Sequence, residues 1–240
     1  MMKTGCLALA LTAAAAAPAS AQMTWTDQGF VNVNVGVQGG SRTLSGASTF
    51  DLYGEQGSLS TTQDVGGGGL FDVSGGYKVW RNLAVGLGFS RTGSDADVAI
   101  AASVPDPIFF DRLRPLTDVS PGADHSETAI NFHATWMVPV TDKVDVGLSF
   151  GPTIFNASQE IPNAITVNEP GPTLASTTVV KEKETTGGFN LGADVTYLVT
   201  PRFGAGVLLR FTHGSATFDS ADDSISVGGF QFGAGLRVRF

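Results

Sequence analysis

The sequence predicts an all-β protein: a closed, antiparallel, up-and-down barrel of eight strands that crosses a membrane. Three observations predict it. Apolar residues alternate with polar or very small ones at period two in eight separate stretches, the signature of strands with two unlike faces. The connections between those stretches are short and long in turn. No later stretch reaches the ~20 apolar residues of a membrane-crossing helix, while stretches of about ten residues suit tilted strands.

The chain opens on a targeting pattern. Met1-Met2-Lys3 gives a positive start, Leu7 to Ala17 an apolar run, and Ala19-Ser20-Ala21 a small-x-small cleavage site. These residues predict a signal peptide over 1–21, cut before Gln22, and one domain over 22–240. Cys6 precedes the apolar run, whereas a lipid-bearing cysteine would follow it. Removing the leader removes the only cysteine, which excludes an internal disulfide, a thiol enzyme or a cysteine-zinc site. A formal charge of −8 excludes the basic stripe that nucleic acid requires.

The strands come in order along the chain. Val31, Val33, Val35 and Val37 oppose Asn32, Asn34, Gly36 and Gln38. Phe71, Val73, Tyr77 and Val79 oppose Asp72, Ser74 and Lys78. Leu83, Val85, Leu87 and Phe89 oppose Ala84, Gly86, Gly88 and Ser90. Ile130 to Val138 and Val144 to Phe150 repeat the pattern, with Asn131, His133, Thr135 and Asp145 on the other face. Phe189 to Val199 and Phe203 to Phe211 come next, then Phe230, Phe232, Ala234, Leu236, Val238 and Phe240. Tight turns are expected at Trp80-Arg81-Asn82, from Pro139 to Lys143 and at Thr200-Pro201-Arg202. Long loops are expected over about 42–68, 98–126, 157–184 and 215–226, and Gly66 to Gly69 reads as a hinge.

The glycine-rich face decides the orientation. Small residues suit the crowded interior of a narrow barrel, so the bulky face is assigned to lipid. Aromatic residues at the stretch ends, Trp80, Trp136 and Tyr197 at one and Phe89, Phe150 and Phe211 at the other, predict two interfacial girdles.

From Phe230 to Phe240 the chain resembles the bacterial outer-membrane β-barrel family that includes the OmpA transmembrane domain and OmpX. That resemblance implies a bacterial outer-membrane location, short periplasmic turns and long extracellular loops. It also implies that Phe240, Val238 and Leu236 serve as a signal to the barrel-assembly machinery. Partners expected with it are outer-membrane lipid and lipopolysaccharide. No peptidoglycan-binding domain is expected, and the barrel is expected to be monomeric.

Inward parity collects Asp72, Lys78, His133, Asp145, Asp194, Arg210, Arg237 and Arg239. Charges of both signs in a narrow tube point to a paired polar network; a gated path for small solutes or ions is the alternative. Near one strand end, His213 and Ser215 resemble two members of the outward triad of lipid A deacylase barrels, a second alternative. The third member is missing; only Asp222 and Asp223 are close in sequence, so no catalytic set is assigned. No cofactor or metal cluster is expected. The residues predict a structural envelope protein presenting loops for interaction or adhesion, with Ile108, Phe109 and Phe110 as the candidate contact.

Overall fold

The computed structural model describes residues 24–217 and 224–240, so the expected leader over 1–21 lies outside the described residues. Ten antiparallel strands succeed one another: β1 (Gly29–Gly39), β2 (Arg42–Leu52), β3 (Glu55–Val65), β4 (Gly68–Trp80) and β5 (Leu83–Pro105), then β6 (Leu113–Thr141), β7 (Val144–Asn168), β8 (Thr173–Leu198), β9 (Phe203–Ala216) and β10 (Ile225–Arg239). Eight of them form a barrel-like ring in the order β1-β4-β5-β6-β7-β8-β9-β10. The last strand returns to the first, with Phe30 opposite Arg239 and Gly39 opposite Phe230. The remaining two form a hairpin, and β3 continues the wall by pairing Ser58–Gln63 with β5.

The ring has the eight strands expected; one expectation needs correction. Among the described residues a two-strand hairpin is added to the ring, and most of the expected long loops are sheet. Residues 42–65 form the β2–β3 hairpin, and β5 to β8 extend over 23, 29, 25 and 26 residues. The segments 98–126 and 157–184 are thus mainly the upper parts of those four strands. Of the fourth expected loop, Ser215 and Ala216 belong to β9 and Ile225 and Ser226 to β10, which pair with one another; residues 218–223 lie outside the described residues.

The reason for the difference is a change of phase. In the lower part of β5, Val85, Leu87 and Phe89 point outward and are exposed, while Ala84 and Ser90 are buried. Further up the same strand the inward positions hold Val98, Ile100, Ala102 and Val104, all buried. The inward parity persists, but the apolar residues move from the outer face to the inner one. A search for a bulky outward stripe therefore ends at Phe89, and the residues beyond it read as loop. Physically, the lower wall is built for an apolar surround and the upper lobe for water.

Two clusters fill the upper lobe. One joins Leu44, Ala129, Phe155, Ala157, Ile161, Ala216, Ile225 and Val227. The other joins Leu59, Val98, Ile100, Ala102, Val104, Leu116, Ala123 and Ile165, flanked by Phe50, Leu52, Val167 and Leu174. The β2–β3 hairpin belongs to this lobe because it contributes Leu44 and Leu59. At the opposite end Trp25, Phe30, Ala84 and Met137 pack together, and Trp25 N donates to Asn82 Oδ1 at 3.2 Å.

Candidate functional site

Side chains occupy the ring from one end to the other. Near the tight turns, Arg237 Nε and Nη2 donate to the two oxygens of Asp194 at 2.9 and 2.6 Å. This fork-on-carboxylate geometry is the strongest form of ion pair. Gly206 makes room for it, since a Cβ there would lie 2.6 Å from Arg237 Nε. Arg239 donates to Asn32 Oδ1 at 3.0 Å and Thr196 Oγ1 at 2.7 Å, with Asp145 3.8 Å from its Nε. Lys78 Nζ donates to the carbonyls of Trp25 and Thr26 and stands 5.6 Å from the Trp25 ring centre. His133 stacks on Phe30 and contacts Thr135 Oγ1 at 3.1 Å.

Above these runs a continuous chain of nine side chains. Asn34 Nδ2 donates to Asp72 at 2.9 Å, and Arg210 Nη2 donates to the other Asp72 oxygen at 2.7 Å. Arg210 Nε donates to Gln231, Gln231 to Gln38, and Gln38 to Glu127, at 2.7, 2.6 and 2.9 Å. Glu127 Oε1 lies 3.0 Å from His125 Nε2, whose Nδ1 lies 2.7 Å from Gln159 Oε1; Gln159 Nε2 donates to Gln63 at 2.8 Å. Arg42, at the root of β2, pairs with Glu127 and donates to the Gly228 carbonyl at 2.6 Å. Burial alone would raise the Glu127 carboxyl, but the hydrogen bond from His125, the charge of Arg42 and the amide of Gln38 lower it to about 2.

Of the eight inward-parity residues, the structure joins Asp72 with Arg210 and Asp194 with Arg237, and sets Asp145 beside Arg239. Lys78 and His133 lie apart from those pairs, against backbone carbonyls and an aromatic ring. Sequence reasoning missed Gln38, Arg42, Gln63, His125, Glu127, Gln159 and Gln231. Parity signalled four of them: Gln38 shares the inward face of Asn34 on β1, His125 and Glu127 that of Asn131 and His133 on β6, and Gln231 that of Arg237 and Arg239 on β10. Phe240 meets the first strand, where its carbonyl accepts from the Gln28 and Gly29 amides at 2.6 and 2.8 Å, and Leu236 faces outward opposite Val33. Val238 pairs with Val31.

Three hairpin tips meet at the top of the lobe. Arg114 donates to both oxygens of Glu169, at 2.8 and 2.5 Å, and Tyr53 Oη donates to Glu169 at 3.3 Å. The Asp111 amide donates to Glu55 at 3.1 Å. In the β5–β6 tip, Asp106 Oδ1 accepts from the amides of Ile108 and Phe109, and the Asp106 amide bonds the Arg112 carbonyl. The amide of Ile108, then that of Phe109, hold the Asp106 carboxyl below its usual range, and Arg114 and Arg112 add to the effect. Fixed in this way, Ile108 is 81% exposed, Phe110 77% and Phe109 57%. Leu113 and Tyr53 are exposed beside them.

His213 and Ser215 point outward on β9, and His213 packs against the rings of Phe189 and Phe211. Asp222 and Asp223, the nearby carboxylates in sequence, lie outside the described residues. Among the described residues, no group of three His, Cys, Asp or Glu side chains is placed to hold a metal ion.

A ring of β-strands with apolar residues outside and charge pairs inside defines the class of transmembrane barrels. The family model for the outer membrane protein beta-barrel domain matches residues 7–240, and the chain belongs to that family, which places it in the bacterial outer membrane. Among solved structures, Neisserial surface protein A is similar at 14% identity, over 88% of this chain and 97% of that one, with a TM-score of 0.46. The attachment invasion locus protein Ail of Yersinia pestis is 12% identical over 88% and 99%, with a TM-score of 0.37. The outer membrane protein OprG of Pseudomonas aeruginosa is 10% identical over 89% and 97%, with a TM-score of 0.41. No match is found among curated proteins.

Proposed function

We propose that this chain is a closed outer-membrane scaffold whose work is done at the outer tip: it supports the envelope and presents three joined hairpins for attachment. The tight turns face the periplasm and the lobe faces outward. The carrying observation is the tip itself. Three large apolar side chains stand in water on a backbone fixed by Asp106, over a lobe with its own apolar core. Exposing Ile108, Phe109 and Phe110 together is unfavourable for a monomer, whereas burying each against a partner is worth ~1.5–3 kcal/mol.

The filled lumen supports a scaffold over a conduit. Buried pairs such as Arg210–Asp72 occupy the space a solute would use, and Phe155 and Ala157, level with Ala129 and Glu127 on the neighbouring strand, add apolar bulk higher up. The test is a triple substitution, Ile108→Ser, Phe109→Ser and Phe110→Ser, in cells that display the protein. Assembly, read as heat-modifiable migration on gels, should be unchanged, while adherence to epithelial cells should fall to the level of cells lacking the gene. Unchanged adherence removes the attachment role. Purified protein in planar bilayers should be silent, and steady conductance would restore the solute path.

A further inference from the structure

We infer that the outer tip takes a basic polypeptide carrying apolar side chains, and not a sulfated polysaccharide or a lipid surface. This rests on the attachment reading and adds the chemistry of the partner. The tip is convex and apolar, with Ile108, Phe109 and Phe110 exposed and held in place by the Asp106 hydrogen bonds. The charge around it selects the occupant.

The lobe is acidic. Segments 39–70, 90–129 and 155–188, which lie above the outward apolar band, hold fourteen carboxylates against six lysines and arginines, a formal −8. Three of the six lobe cations are paired within the chain: Arg42 with Glu127, Arg114 with Glu169, and Lys181 with Glu160. Arg112 leans 5.3 Å over the Phe109 ring and stands 3.9 Å from Asp106. Asp51, Glu55, Asp106, Asp111 and Glu169 stand around the prong, and Asp51 and Asp111 are exposed.

An acidic rim of this kind repels sulfate and phosphate and attracts lysine and arginine, while the prong requires apolar contacts to complete the interface. The chain's own membrane is out of reach. Sixteen residues separate Phe89 from Pro105 along β5, about 50 Å of strand and roughly 40 Å of height at the usual barrel tilt.

The experiment uses the full chain in nanodiscs and four probes: a synthetic peptide of alternating lysine and phenylalanine, a lysine–serine peptide of equal charge, heparin, and phosphatidylcholine vesicles. The lysine–phenylalanine peptide should bind at least about tenfold more tightly than the lysine–serine peptide, and salt should weaken it. The triple serine substitution should erase that preference. Asp51→Asn with Asp111→Asn should weaken both peptides while sparing the ratio between them. Stronger binding to heparin or vesicles than to peptide, or a peptide affinity indifferent to both variants, overturns the inference. Adherence lost in the serine variant without any peptide binding would defeat this inference alone. Peptide binding with adherence untouched would defeat the attachment role and leave the ligand class standing.

Discussion

Arg210 and Asp72 show what a barrel interior asks of single residues. Arg210 is almost wholly buried and Asp72 wholly so, and each oxygen of that carboxylate is used, by Arg210 and by Asn34. Such a pair gains little over well-packed apolar residues, but a broken one leaves an unpaired charge inside the ring. Arg210→Met alone should therefore cost about 3–5 kcal/mol. Arg210→Met with Asp72→Leu should recover most of that cost, both read from the urea midpoint in lipid vesicles. A single and a double variant of equal stability would show that the carboxylate has water access. The charges are legible in the sequence because a strand's parity states which way they point. Their partners are not: Asp72 and Arg210 are 138 positions apart, and Arg237 meets Asp194 only because β8 and β10 flank β9.

At the level of elements, the β2–β3 hairpin matters most. It is joined to the ring through Arg42, which reaches Glu127 and the Gly228 carbonyl, and through the Leu44 and Leu59 side chains in the lobe core. The ionic part is pH-dependent, with a sign set by Glu127. Its carboxyl titrates at about 2 in the fold, below its ordinary 4.5. The stabilisation is thus complete above the ordinary value, of the order of 3 kcal/mol, and is lost as pH falls from ~4.5 towards ~2. Pepsin cleavage near Phe50 and Leu52 should accelerate steeply across that window. Glu127→Gln should release the hairpin at neutral pH, where trypsin cutting after Arg42 reports it. Indifference to pH in the native chain would mean that the β3–β5 ladder and the apolar contacts hold the hairpin without Glu127. This element was invisible to periodicity for a definite reason. Apart from buried Thr61, its serines and threonines are exposed or half-buried while Leu44, Leu59 and Val65 face inward, so it carries no bulky outward stripe.

The whole molecule is two structures on one set of strands. The lower one holds its polar atoms inside and presents Val35, Leu87, Phe150 and Leu236 to the surround; the upper one does the reverse. Period two, the turn positions and the inward charges made the lower half readable residue by residue. The upper half changes which face is apolar, without a change of parity in β5 and with a shift of one residue at Pro121–Gly122 in β6, so the same rule read it as loop. The tip was legible only as an apolar run; that three hairpins meet there depends on Arg114, Glu169 and Tyr53, residues with no local signature.

The reversal between Phe89 and Val98 in β5 also sets a waterline. If the protein rose by two residues, Phe89 and its counterparts Phe71, Phe211 and Phe230 would meet water; if it sank as far, Arg91 would enter oil. Either displacement is opposed around much of the circumference at once, so the draught is fixed by the strands themselves, with no need for a keel or tether. Bilayers of greater thickness should thin around the chain instead of lifting it. A spin label at Arg91 should then report the same immersion depth in short- and long-chain lipids.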